Sequence, residues 1–193
     1  MLRDFSYWNI YLNELMSDDY GQERDMGHTH LTRMVMEKWI SKIDAKTVLD
    51  IGCGANCVAE PFFSLFGMKY TGIAFGMDAK KAKGHGKNVE EMDMSFLNFN
   101  NNSFDLLWAR HVLEHSTSPL LTLMEWNRVS NHLLCVILPT PEVYGKTGLN
   151  HYSVLDDEQW KFLFERSGWH IIWKDDTEKS EFRYMLEKKE RKK

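Results

Sequence analysis

Cysteine and proline are scarce in this 193-residue chain, with three and four copies. Three cysteines are an odd number, and their positions are not those of a disulfide framework. That excludes a stapled secreted fold and leaves reduced thiols as the expectation. Long hydrophobic runs are also lacking. LLCVIL (133–138) is far too short to span a bilayer. The opening MLRDFSYWNI has no signal-peptide layout, because charged and polar residues interrupt it. A cytoplasmic location without membrane contact is therefore expected. An excess of positive charge is missing too, since 24 basic side chains face 28 acidic ones for a net charge of -4. A broad basic surface for duplex nucleic acid is thus not expected, although a local patch stays compatible.

What is present suits one domain with a single buried core, with 43% hydrophobic and 27% charged residues. Residues 1–46 read as an N-terminal helical extension packed on the core as a lid. Phe5, Trp8, Leu12 and Leu15 share one helical face, and Leu31, Val35 and Trp39 share a second one over 28–42. The pattern then changes to short apolar runs at TVLDIG (47–52), KYTGIA (69–74), VEEMDM (89–94), FDLLWA (104–109) and HLLCVIL (132–138). Helices are expected over 61–66, 111–115 and 118–129. Lys80, Lys81 and Lys83 fall in a polar connection, and 142–153 reads as a loop. DDEQWKFLFERSG (156–168) is a helix with acidic residues at its start and Gly168 at its end. WHIIWK (169–174) and EFRYMLEK (181–188) form a closing strand pair. The core domain is set at 47–187, with 188–193 as a basic, solvated tail. Strands alternating with helices imply a mostly parallel sheet covered on both faces, with ligands at the carboxyl ends of the strands.

The first strand runs into Asp50-Ile51-Gly52-Cys53-Gly54-Ala55-Asn56. Glycines there permit a sharp turn and close approach of a ligand to the backbone. A dinucleotide fingerprint requires a further glycine, where Cys57 stands, and an acid ending the second strand, where Ala74 stands. A nicotinamide cofactor is therefore disfavoured.

VLDIGCG (48–54) resembles the first motif of class I S-adenosylmethionine-dependent methyltransferases, in their small type 11-like group. FDLLWARHVLEH (104–115) is similar to the fourth-strand motif of that family, LMEWNRV (123–129) to the helix after it, and ILPTPE (137–142) to the end of its fifth strand. The resemblance covers about residues 45–187. It implies a Rossmann-like, doubly wound α/β fold in three layers, with a seven-stranded sheet whose last strand is antiparallel. It implies S-adenosyl-L-methionine as cofactor and methyl transfer as the reaction. Asp50, Gly52, Cys53, Gly54 and Asn56 would shape the methionine end of the site. Ala74 and Phe75 would lie at the ribose. Asp93, with Met94 beside it, would accept from the adenine amino group. Ala109 and Arg110 would face the amino-acid and methyl end, and His111 and His151 are the candidate proton acceptors.

Two positions depart from the family pattern. Asn56 replaces a glycine, and asparagine tolerates a left-handed backbone. Ala74 replaces the acid that holds both ribose hydroxyls. Its loss costs about 1.5–3 kcal/mol, or roughly ten- to a hundredfold in affinity, unless Phe75, Gly76, Asp78 or a water compensates. A degenerate binding or scaffold protein without activity is the alternative that Ala74 leaves open. A small-molecule acceptor fits best, and a peptide acceptor stays open. The sequence does not reveal the oligomeric state.

HVLEH (111–115) also has the H-x-x-E-H pattern of inverted zinc proteases. A zinc site needs a further ligand, and this run follows a buried strand, so Glu114 and His115 read as structural. Cys53 and Cys57 read as small packing residues of the turn. No metal is expected. The histidines of GHTH (27–30) read as cap and surface groups. Trp8, Tyr11 and Tyr20 are candidates to line an acceptor pocket.

Overall fold

The computed structural model describes residues 26–144, 150–175 and 177–189. The expected first helix and the pocket candidates Trp8, Tyr11 and Tyr20 lie outside those residues, as do the side chains of GHTH. The strands are β1 (Thr47–Ile51), β2 (Lys69–Ala74), β3 (Val89–Glu91), β4 (Phe104–Arg110), β5 (Ser130–Pro139), β6 (Trp169–Asp175) and β7 (Glu181–Lys188). The helices are α1 (Met26–Lys38), α2 (Glu60–Leu65), α3 (Gly76–Gly84), α4 (Pro119–Val129), α5 (Pro141–Tyr144) and α6 (Asp157–Arg166). The sheet order is β3-β2-β1-β4-β5-β7-β6. Pairing is parallel from β3 to β5, and β7 runs antiparallel to both neighbours. This is the Rossmann-like, seven-stranded arrangement that the sequence implies.

The apolar runs of the central strands are continuous because both faces are covered. Side-chain alternation divides them between two cores. Val48, Leu106, Trp108 and Ile137 pack with Val35 and Met36 of α1 and Phe63 of α2. Leu49, Ile51, Leu107 and Val136 pack on the other face with Trp126 of α4 and Trp160 and Phe164 of α6. Among the described residues, no helix is long and apolar enough to cross a membrane.

Four expectations are corrected. The segment around Lys80 and Lys81 is the helix α3. Its buried side is small, Ala79 and Ala82, so no large apolar residue marks the period. Residues 111–115 do not form an α-helix, because His111 has φ 52 and only a 3-10 turn follows at Leu113–His115. The loop after β5 opens with the short helix α5. β3 is only three residues long, so Asp93 and Met94 lie in the turn beyond it.

Polar side chains fix the connections. Asp105 accepts from the backbone N–H groups of Lys46 and Thr47 at 2.9 and 3.1 Å, at the amino ends of β4 and β1. Arg128 of α4 donates to the carbonyls of Leu97 and Phe99 at 2.8 and 2.7 Å. Trp126 Nε1 donates to Met94 O at 2.9 Å. Together these hold the 94–99 segment against α4. Asp156 and Gln159 form a reciprocal capping box at the start of α6.

The exit from β1 is equally constrained. Gly52 has φ +68, and a Cβ there would lie 2.3 Å from Val112 Cγ2, in the turn after β4. Gly52→Ala is expected to destabilise the fold by about 2–4 kcal/mol through strain and overpacking. Val112→Ala in the same chain should recover part of that loss. Denaturant unfolding of both single variants and the double variant checks this. Strictly additive losses would show that the two residues do not press on each other.

Candidate functional site

Parallel pairing from β3 to β5 brings the carboxyl ends of five strands to one edge of the sheet. Strand order reverses between β1 and β4, the place where ligands enter such sheets. The glycine turn leaves β1, Ala74 and Phe75 end β2, Asp93 and Met94 follow β3, and Ala109, Arg110 and His111 end β4. The candidate residues thus line one edge. His151 joins them from the segment before α6.

In the glycine turn the two glycines do different things. Gly52 admits no side chain, as shown above. Gly54, at φ +65, has no atom within 4 Å of the place a Cβ would take, so its backbone faces open space. The left-handed residue expected at Asn56 is instead Cys57, at φ 48. Cys53, Cys57 and Cys135 are free thiols, and the sulfurs of Cys53 and Cys57 lie 3.8 Å apart. Asp50 is 3% exposed and accepts a 2.8 Å hydrogen bond from Tyr70 Oη. Burial pushes its pKa up to about 8 against the opposing Tyr70 bond. Tyr70 went unread in the sequence because KYTGIA shows only a strand.

Three carboxylates keep unpartnered buried oxygens among the described residues, Asp78, Asp93 and Glu114, and the first two stand beside the ends of β2 and β3. Asp93 Oδ1 accepts from Ser95 N–H at 2.7 Å, while its buried Oδ2 has no partner. Asp78, in the first turn of α3, has a buried Oδ1 without one. Burial raises the pKa of both. Ala74 is buried with Cys53, Cys57, Ala79, Ala82 and Val89.

At the end of β4, Arg110 Nη2 pairs with Glu181 Oε1, and His111 Nε2 lies 2.9 Å from the same oxygen. Glu181 opens β7, and its other oxygen takes Arg183 at 3.1 Å. Burial alone would raise the pKa of Glu181. The His111 bond and the Arg110 and Arg183 charges outweigh that and bring it down to about 2. No sequence signal marks Glu181, since it is one acid in a strand of mixed residues. Glu114 is fully buried, and neither carboxylate oxygen has a hydrogen-bond partner. Burial raises its pKa to about 8 and lowers that of His115 to about 4. His115 Nδ1 lies 3.0 Å from Asn150 O, and its ring meets that of His151 at 4.9 Å. His111 Nδ1 is 3.8 Å from Glu114 Oε1, so Glu114 joins the two candidate bases. An open cleft of about 840 Å³ beside Asn127, Arg128, His170 and Glu187 lies at the opposite end of the sheet, away from all these groups.

Residues 49–132 match the family model described as a methyltransferase domain. The fold agrees. The magnesium protoporphyrin IX methyltransferase of Synechocystis, solved with bound S-adenosylmethionine, superposes with a TM-score of 0.69 at 13% identity, over 93% of this chain and 96% of that one. A SAM-dependent methyltransferase of Aquifex aeolicus gives 0.62 at 20% identity, over 86% and 99%. The [4+2]-cyclase SpnF gives 0.69 at 17% identity, over 96% and 93%. No curated protein matches the chain in sequence. The cyclase is a reminder that this fold hosts other chemistry, so activity must come from the site.

Asp50 sets a pH dependence of this fold. Its folded pKa of about 8 stands above the ordinary 3.8. The folded state therefore binds the proton more tightly, and the associated stability is full below pH 4 and lost as pH rises through 8. Asp50→Asn is expected to make the fall in melting temperature between pH 5 and 8 shallower. An unchanged slope would show that Asp50 ionises normally in the fold.

Proposed function

We propose that the chain is an S-adenosylmethionine-dependent methyltransferase acting on a small-molecule acceptor. The observation that carries this reading is the unpartnered, buried Asp93 Oδ2 beyond β3, on the edge where the glycine turn also opens. A buried acceptor without a donor is costly, and an adenine amino group supplies that donor. Ser95 N–H holds the other oxygen and fixes the carboxylate for the task. Asp78, in the first turn of α3 just beyond Ala74, takes the ribose hydroxyls with Oδ1 in place of the missing acid. The open backbone at Gly54 admits the methionine end, with Ala109 and Arg110 beside it.

The bound cofactor supplies a methyl group on a positively charged sulfur, which leaves as a neutral thioether. The protein then has mainly to position the acceptor in line with that methyl. A proton acceptor is needed only where the acceptor atom carries a proton, and histidine suits neutral pH. His111 and His151 are the candidates. Glu181 accepts from His111 Nε2–H, so the neutral ring carries its lone pair on Nδ1. A second reading, a binding protein without transferase activity, draws on Ala74.

Calorimetry with S-adenosylmethionine and S-adenosylhomocysteine separates the two readings from a fold without cofactor. Binding is expected. Asp93→Asn and Asp78→Asn should each weaken it about tenfold, the worth of one hydrogen bond near 1.4 kcal/mol. Folded protein that binds neither compound at millimolar concentration would overturn the proposal. Unchanged binding by Asp78→Asn would overturn the ribose assignment alone. Methyl transfer by the cofactor-bound protein distinguishes enzyme from binding protein.

A further inference from the structure

We propose that Glu114, His115 and His151 together bind one zinc-class divalent metal ion. The sequence offers His111 and His115 as the pair in HVLEH, and lacks a further ligand. The structure changes the set. Glu181 holds His111 through Nε2 while its Nδ1 stays 3.8 Å from Glu114 Oε1, and the segment before α6 adds His151 as the third group beside Glu114 and His115. One ligand atom from each of Glu114, His115 and His151 falls within 4.8 Å of the others.

Three further observations point to a cation there. Glu114 is 0% exposed, and neither of its oxygens has a hydrogen-bond partner among the described residues. A buried carboxylate in that state is destabilising until a cation or donor meets it. His151 Nδ1 is buried and likewise unpartnered. His115 Nδ1 faces the carbonyl of Asn150 at 3.0 Å. A carbonyl only accepts, so Nδ1 carries the proton and the lone pair sits on Nε2, 4.0 Å from Glu114 Oε1. Metal-binding histidines are oriented in this way, with the second ring nitrogen donating to a backbone carbonyl.

The ligand chemistry selects the ion. Two imidazoles and one carboxylate suit zinc or a similar divalent transition metal, and three protein ligands leave a fourth position open. Zinc bonds of about 2.0–2.2 Å put ligand atoms roughly 3.3 Å apart, so closure by an ångström or so completes the site. The surrounding chain is already tied down. Ser153 N–H donates to Glu114 O at 2.9 Å, and Ser153 Oγ donates to Ser116 O at 2.7 Å. On this assignment His151 is a ligand and His111 is left as the candidate base. The metal proposal stands independently of cofactor binding.

The test uses the full chain stripped with a chelator and titrated with Zn(II) against a chromophoric zinc indicator. One equivalent is expected to bind. Glu114→Gln and His151→Gln should each lose more affinity than the roughly ten- to hundredfold cost of removing an outer partner. Circular dichroism shows whether each variant folds. If Glu114→Gln does not, His151→Gln in its half-buried segment decides. A Cys53→Ser/Cys57→Ser variant should bind zinc unchanged, and Co(II) in the native chain should show no thiolate absorption. Failure of the folded native chain to bind zinc would overturn the proposal. So would unchanged affinity in His151→Gln, or loss of affinity in the cysteine variant. None of these readouts depends on methyl transfer.

Discussion

Parallel pairing of β1 with β4, from Val48 opposite Leu106 to Ile51 opposite Ala109, brings the two halves of the sheet together. β2 and β3 extend from one side of this pair, and β5, β7 and β6 from the other. The chain therefore leaves β1 and β4 side by side, in turns that touch through Gly52 and Val112. Asp50, Arg110 and His111 inherit their positions from that contact. A one-residue slip would turn every side chain of β1 to the opposite face and bury the wrong set.

Two groups of carboxylates stand out among the described residues. Glu181, Asp175 and Asp157 have pKa values brought down to about 2 by bonded cations and hydrogen-bond donors. Lys38, Asp175, Arg183, Glu181 and Arg110 form a chain of charges of alternating sign. These groups bind β7 to its surroundings and are matched within the protein. Asp78, Asp93 and Glu114 are different, because burial raises them and the described residues leave oxygens unmatched. They lie along the carboxyl edge of the sheet. Matched acids hold the frame, and the unmatched acids are the ones to which the proposals above assign groups from outside the chain.

Much of the frame was legible in the sequence. Strong apolar runs such as FDLLWA and HLLCVIL give β4 and β5, and the acidic start of 156–168 gives α6. α3 was not legible, because alanines mark a helix face too weakly between lysines. The geometry of the candidate site was legible where it depends on local chemistry, as in the sharp glycine turn. It was hidden where it depends on distant pairing. Nothing near His111 announces Glu181, and nothing in HVLEH announces His151. A positive φ at His111, invisible in the sequence, accompanies a ring that meets Glu181 through one nitrogen and approaches Glu114 with the other. Ala74 reads as a loss in the sequence, whereas the fold places the unpartnered Asp78 a few residues further on.

The most direct measurement is a crystal structure of the chain with S-adenosylhomocysteine. The expected result is an adenine amino group on Asp93 Oδ2, a ribose hydroxyl on Asp78, and the amino-acid end over Gly54. Crystals grown at saturating ligand that hold none, or that hold the adenine away from Asp93, would contradict the assignment of this edge as a cofactor site.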